Sequence, residues 1–99
     1  MFLVRDIMYC KPGKARPMAE KFVALSAVSQ KMGLGSMRVM TDVSAERYWT
    51  VISEMEVPAL DALAERSAKA MENPEFQAAM QGYHDLVDHG RREIYKIEK

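Results

Sequence analysis

The alternation of strand-like and helix-like segments in the second half of the chain constrains the fold most. A β-rich run at residues 47–56 precedes a helical stretch that begins at Pro58, a residue that suits the first turn of a helix. The pair Asn73-Pro74 interrupts this stretch, because a proline clashes with an incoming helix while an asparagine can cap a new one. The second helical piece ends at Gly90, and residues 92–98 are predicted as the last strand.

The first half of the chain adds a strand, a helix and a second strand. Residues 2–10 carry apolar side chains on both faces, which is typical of a strand that is covered on both sides. Residues 15–32 place apolar side chains at helical spacing and end at Gly33, a residue that favours helix termination. Residues 36–43 are another β-rich run, and the short link Ser44-Ala45-Glu46 joins it to the next strand in a hairpin.

The resulting order of elements, βαββαβ, specifies an architecture. A chain of 99 residues forms one domain, here residues 1–99. Two βαβ-type halves of this size predict an α+β, ferredoxin-like sandwich, in which a four-stranded antiparallel sheet carries both helices on one face. The other face of the sheet must then meet water, a ligand or a second sheet.

The face without helices is expected to be apolar. Neither face of the two hairpin strands is purely polar. Because the sequence does not fix the strand register, the face without helices carries one member of each of three pairs: Trp49 or Tyr48, Ile52 or Val51, and Met40 or Val39. Contiguous apolar patches usually mark association. We therefore predict a homodimer formed by sheet-to-sheet packing.

Composition and charge exclude several classes of protein. The chain is 48% hydrophobic and 28% charged, which is typical of a globular protein. Fourteen basic residues balance fourteen acidic ones, so nothing indicates a nucleic-acid or membrane partner. No apolar run approaches the roughly 20 residues of a membrane span, and the first residues lack the pattern of a signal peptide. The single cysteine, Cys10, fits a reducing compartment, so a cytoplasmic location is expected.

Two segments add a family resemblance to the order of elements. They are Asn73-Pro74-Glu75-Phe76 and Gly90-Arg91-Arg92-Glu93-Ile94-Tyr95, which leads into the final strand. With the element order, they make the chain resemble the dimeric α+β barrel superfamily, and within it NIPSNAP-type domains, over nearly its whole length. The resemblance implies two sheets that close face to face across a twofold axis, and a ligand cavity between sheet and helices. The superfamily includes small monooxygenases, haem-degrading enzymes, decarboxylases and members without known activity, so the fold alone does not select a reaction.

His84 is the candidate acid or base. On a continuous helix, His84 would share a side with Asp88, and Asp85 would share another side with His89 in the last turn. These pairs point apart and each offers two ligands, too few for a zinc site, so no metal site is predicted. His84 flanks the apolar stripe of the helix, and its ordinary pKa near 6.5 suits proton transfer. The alternative is a half-buried structural histidine.

The predicted ligand site lies between the sheet and the second helix. We expect it to be lined by Trp49 or its neighbours, Tyr83, His84 and Arg38, which combine a few polar groups with apolar walls. The alternatives are that Trp49 is a barrel or core residue and that Arg38 forms a salt bridge at the rim of the sheet. Cys10 precedes Lys11, which could lower the pKa of the thiol.

Two functions remain open at this point. The chain has no glycine-rich phosphate loop, no Ser-His-Asp order and no zinc spacing, so no cofactor is indicated. The first function is a dimeric barrel that binds an apolar or aromatic metabolite and could act as a cofactor-independent monooxygenase. The second is a non-enzymatic, dimeric binding or interaction module.

Overall fold

Strands and helices follow one another along the chain in the predicted order. The computed structural model describes residues 1–99 and contains, in chain order, β1 (Phe2–Cys10), α1 (Ala15–Lys31), β2 (Arg38–Thr41), β3 (Thr50–Val57), α2 (Leu60–Glu72), α3 (Pro74–Met80), a 3-10 turn (Tyr83–Asp85) and β4 (Val87–Lys96). The four strands form one antiparallel sheet in the order β2-β3-β1-β4. The predicted ferredoxin-like fold is confirmed.

The second helical piece is much shorter than predicted. α3 ends at Met80, and Gly82 then takes a left-handed conformation, with φ at 84°, that ends the helical path. Tyr83 and Leu86 still pack against the core, but they do so from a 3-10 turn and the residue after it. β4 begins at Val87, five residues before the predicted start of the last strand. The predicted helical pairs between positions 84 and 89 therefore do not form, and His89 lies on a strand.

The link between β2 and β3 is longer than predicted. Residues 42–49 lie outside both strands, so the expected tight hairpin at 44–46 is wrong and both strands are shorter than expected. The Asp42 N–H still donates to the Thr50 carbonyl at 3.2 Å. Side-chain hydrogen bonds add to this contact: Thr50 N donates to Asp42 Oδ1 at 2.9 Å, and Thr50 Oγ1 donates to the Arg47 carbonyl at 2.8 Å. Trp49 closes the loop with φ at 62°, a left-handed conformation that is strained for a bulky side chain.

The core lies between the sheet and α1. The fully buried side chains are Met18 on α1 and Val4, Val51 and Val57 on the central strands. α1 begins and ends within one residue of the predicted helix. α2 contributes much less, since Ala70 is its one buried residue. α2 therefore lies over the sheet without packing closely onto it.

The open face of the sheet, which carries no helix, is mixed rather than apolar. Register places Ile52 and Met40 on this face, whereas Val51 faces the helices. Four charged residues cross the open face in strand order and form a charge chain: Arg38 on β2, Glu54 on β3, Arg5 on β1 and Glu93 on β4. The N–O distances along this charge chain are 2.9, 2.7 and 3.4 Å.

None of the helices has both the length and the apolar character that a membrane crossing requires.

Candidate functional site

A cavity of about 380 Å³ lies between the sheet and the helices, beside the core that α1 forms with the sheet. Its volume falls at the lower end of the range of roughly 300–1,000 Å³ that small-molecule sites occupy. Most of its wall is apolar: Met8, Phe22, Leu25, Leu34, Met37, Met55, Leu63, Ala70, Met71, Phe76 and Met80. Six polar side chains complete the lining: Asp6, Ser29, Ser53, Arg66, Ser67 and Arg92. The cavity exists because α2 lies above the sheet without filling the space beneath it.

Asp6 and Arg92 form an ion pair at the sheet side of the cavity. They face each other directly across β1 and β4, where Arg92 Nε donates to Asp6 Oδ1 at 2.7 Å and Arg92 Nη2 donates to Asp6 Oδ2 at 3.1 Å. This bidentate geometry fixes both side chains. The hydrogen bond to Asp6 raises the pKa of Arg92, against the opposing effect of burial. Ser53 lies opposite Asp6 on the other neighbouring strand and is buried, so three polar groups form a row across three strands.

Gly90 makes room for one apolar wall of the cavity. A Cβ atom at Gly90 would lie 2.7 Å from Met8 Sδ and 3.0 Å from the Ile7 carbonyl oxygen. Glycine therefore lets the Met8 side chain lie across β4, where it lines the cavity. The sequence places Gly90 at the end of a helix, whereas its role in the structure is to permit a close approach within a strand.

Arg66 is the cavity-lining cation on α2. Its Nη1 donates one long hydrogen bond, 3.4 Å, to the Glu56 carbonyl at the end of β3. Arg66 forms no ion pair with any carboxylate of the chain. The side chain is half-buried, and it is the charged residue that α2 contributes to the cavity lining, whereas Asp6 and Arg92 belong to the sheet.

The structure does not bring the four predicted site residues together. Tyr83 and His84 are neighbours, with ring centroids 4.0 Å apart, and His84 is exposed on the 3-10 turn. Arg38 lies on the open face, where it binds Glu54. Trp49 lies in the β2–β3 loop, where it lines a more open depression together with Arg47. None of the four lines the cavity between the sheet and α2, and the role of His84 as an acid or base stays a prediction.

Strand register is the signal that identifies the cavity residues. Asp6 and Arg92 are charges within strands, and only the pairing of β1 with β4 shows that they meet on the helix-covered face. Arg66 follows Leu63 by three residues, so the helical spacing places both on one side of α2. The sequence contains these charged residues, but they can be recognised as cavity residues only once the strand register is known.

Cys10 is buried and less acidic than an ordinary cysteine. Burial raises the pKa of its thiol, and the charge of Asp42 raises it further. The expectation that Lys11 would lower this pKa is therefore wrong, because desolvation of the thiolate outweighs a neighbouring exposed lysine. No three histidine, cysteine, aspartate or glutamate side chains lie close enough together to hold a metal ion.

The four-stranded antiparallel sheet with its helices on one face defines the class of protein, an α+β protein with a ferredoxin-like fold. No model of a protein family matches the sequence, and comparison with curated proteins gives no match. Solved structures do match. A NIPSNAP-family protein of unknown function from Agrobacterium tumefaciens is 24% identical, with a TM-score of 0.79 over 98% of this chain and 87% of that one.

Two further solved structures share the fold. An uncharacterised NIPSNAP-like domain protein from Burkholderia xenovorans is 19% identical, with a TM-score of 0.82 over 99% of this chain and 85% of that one. A proposed antibiotic biosynthesis monooxygenase from Nitrosomonas europaea is 12% identical, with a TM-score of 0.73 over the full length of both chains. The predicted resemblance to NIPSNAP-type domains is confirmed at the level of the fold.

Proposed function

We propose that this protein binds a small apolar or aromatic metabolite in the cavity beneath α2. One observation supports the proposal above all: a cavity of about 380 Å³ with apolar walls and a fixed pair of polar groups, Asp6 and Arg92, at its sheet side. A few oriented polar groups in an apolar space are typical of a small-molecule site.

We further propose that the protein acts on the bound compound as a cofactor-independent monooxygenase. The fold shared with a proposed monooxygenase from Nitrosomonas europaea supports this activity, and so does the apolar character of the cavity. Catalysis would need a proton acceptor near the substrate, and Asp6 is the one carboxylate in the cavity lining. The alternative is a non-enzymatic binding module, favoured by the bidentate pairing that already engages both oxygens of Asp6.

A ligand screen with three variants tests where binding occurs. We expect quinones, aromatic compounds or haem to raise the melting temperature of the parent protein. Ala70→Phe places a phenyl ring in the cavity and should abolish the shift, because Ala70 is buried and lines the cavity. His84→Ala and Tyr83→Phe should leave the shift intact if the cavity is the site. A shift that survives Ala70→Phe and disappears in His84→Ala would instead favour a site at the 3-10 turn.

Oxygen consumption separates the enzyme from the binding module. A compound that binds should be consumed together with oxygen in the parent protein, without added metal or cofactor. The rate should fall in Asp6→Asn if Asp6 accepts the proton. Binding without turnover of any compound would support the non-enzymatic alternative.

We also propose that the protein is a homodimer whose two copies pack through their open sheet faces. Ile52 and Met40 on this face support the proposal, since half-buried apolar side chains there would gain a cover. The cytoplasmic location remains a prediction, and so does the absence of nucleic-acid and membrane partners.

A further inference from the structure

We infer that the ligand of the cavity is an organic acid, with an apolar body and a single carboxylate that pairs with Arg66 on α2. The inference rests on the proposed function, because it requires the cavity to be a binding site. It adds the chemical class of the ligand and the residue that recognises its charge.

The charges of the cavity lining do not balance. Asp6 and Arg92 neutralise each other through two hydrogen bonds. Arg66 is the remaining charged residue of the lining, and no carboxylate pairs with it. The cavity lining thus contributes one uncompensated positive charge at the edge of a mainly apolar space. An anionic ligand would pair with this charge, whereas a cationic ligand would be repelled by it.

The hydrogen-bonding capacity of Arg66 points to a carboxylate. A guanidinium has five N–H donors, and Arg66 uses one of them, at the long distance of 3.4 Å to the Glu56 carbonyl. The free donors form a planar fork that matches the two oxygens of a carboxylate. Asp6 is a weaker recognition group for a cationic ligand, because Arg92 already compensates its charge through a hydrogen bond to each of its oxygens.

The position of Arg66 along α2 orients the apolar part of such a ligand. Leu63 and Ala70 lie one turn before and one turn after Arg66 on the same side of the helix, and all three line the cavity. Met8 and Met55 form the opposite wall on the sheet. A ligand whose carboxylate binds Arg66 can therefore place its apolar body between α2 and the sheet.

Binding should also order α2. Ala70 is the one buried residue of this helix, so few side chains hold it against the sheet in the free protein. A ligand bound through Arg66 connects the helix to the sheet. Backbone amides of α2 should then exchange hydrogen more slowly.

Matched pairs of probes test the inference. We would measure calorimetric affinities of octanoate against octanol, and of naphthoate against naphthalenemethanol, for the parent protein and its variants. The acid of at least one pair should bind the parent at least about tenfold more tightly than its alcohol, as a charged hydrogen bond predicts. Arg66→Gln should remove this preference by weakening the acid and leaving the alcohol unchanged. Arg66→Lys should retain part of it, because it keeps the charge but loses the fork.

Lys69→Gln is the matched control. It removes one positive charge from the same helix at an exposed position outside the cavity lining, so the preference for the acid should persist. Melting temperatures of the variants check that each is folded. Slower hydrogen exchange in α2 should accompany the acid in the parent and be lost in Arg66→Gln.

The outcomes separate this inference from the proposed function. If acids and alcohols bind equally well, or if Arg66→Gln leaves the preference unchanged, the inference is wrong while the cavity remains a binding site. If no probe of either pair binds and the screen that includes Ala70→Phe gives no shift, both the inference and the proposed function are wrong. If only alcohols bind, the site is neutral and Arg66 is structural.

Discussion

Glu54 connects two arginines on the open face of the sheet. Its side chain is 7% exposed, and its two oxygens accept hydrogen bonds from Arg5 at 2.7 Å and Arg38 at 2.9 Å. Hydrogen bonding from Arg38 lowers the pKa of Glu54, and Arg5 adds to this effect against the opposing influence of burial. A carboxylate this well satisfied stabilises the fold only while it is ionised.

We predict that Glu54→Gln lowers the free energy of unfolding by roughly 1–2 kcal/mol at neutral pH, a modest value because Arg38 is largely exposed and screened by solvent. Because the folded state lowers the pKa of Glu54, its contribution is present above the usual glutamate pKa of 4.5 and is lost as the pH falls through the lower folded-state value. Urea unfolding across this range should therefore show the parent and the variant converging at acidic pH.

Glu56→Gln is the control for the charge itself. Glu56 is an exposed glutamate on the same strand and its carboxylate forms no ion pair. Its variant should differ little from the parent at any pH. A gap between parent and Glu54→Gln that stays constant from neutral to acidic pH would contradict an ionised role for Glu54.

At the scale of elements, the strands and helices with a long continuous pattern bounded by glycine or proline were predictable from the sequence, whereas the turns were not. β1 matches its predicted range and α1 differs by one residue, because each is bounded by glycine or proline and has a continuous pattern. The spacing of the apolar residues in the last third of the chain fits two alternatives equally well: one continuous helix, or a short helix followed by a turn. These residues are Phe76, Met80, Tyr83 and Val87. Pairing of Val87 with Cys10 decides between these alternatives, and that contact is not visible in local sequence.

Asn73 is a residue whose local sequence signal was sufficient to predict the start of a helix. Its Oδ1 accepts hydrogen bonds from the backbone of Glu75 at 2.8 Å and Phe76 at 3.1 Å, as expected for a helix cap. We predict that Asn73→Ala lowers the free energy of unfolding by about 1 kcal/mol, because it leaves two N–H groups of α3 without that acceptor. Asn73→Asp should retain most of the stability, since aspartate also caps helices. Equal urea midpoints for the Ala variant and the parent would mean that the cap does not stabilise α3.

At the scale of the whole molecule, the two faces of the sheet have different roles. The location of a cavity between sheet and helices was predictable from the resemblance, but its lining was not. Which side chains line it depends on strand register and on how far α2 stands from the sheet, and both are tertiary properties. Register places Asp6 and Arg92 in the cavity and Arg38 on the open face. The salt bridge that was the alternative for Arg38 is the one observed.

The open face leads to the last prediction, the homodimer. Face-to-face packing would cover Ile52 and Met40, and the charge chain could enter such an interface because its members are already paired with one another. Light scattering behind a sizing column should give a mass of about twice 11.3 kDa at micromolar concentration. A monomeric mass would contradict the sheet-to-sheet model.

Ile52→Lys tests which face is used. A lysine there would bring an unpaired charge, and its twofold copy, into the interface, so the variant should shift toward the monomer. Leu60→Lys is the control, because Leu60 is an exposed apolar residue on α2, on the opposite side of the sheet. It should remain dimeric. If Leu60→Lys dissociates the protein and Ile52→Lys does not, the copies associate through their helices and the open face is free for another partner.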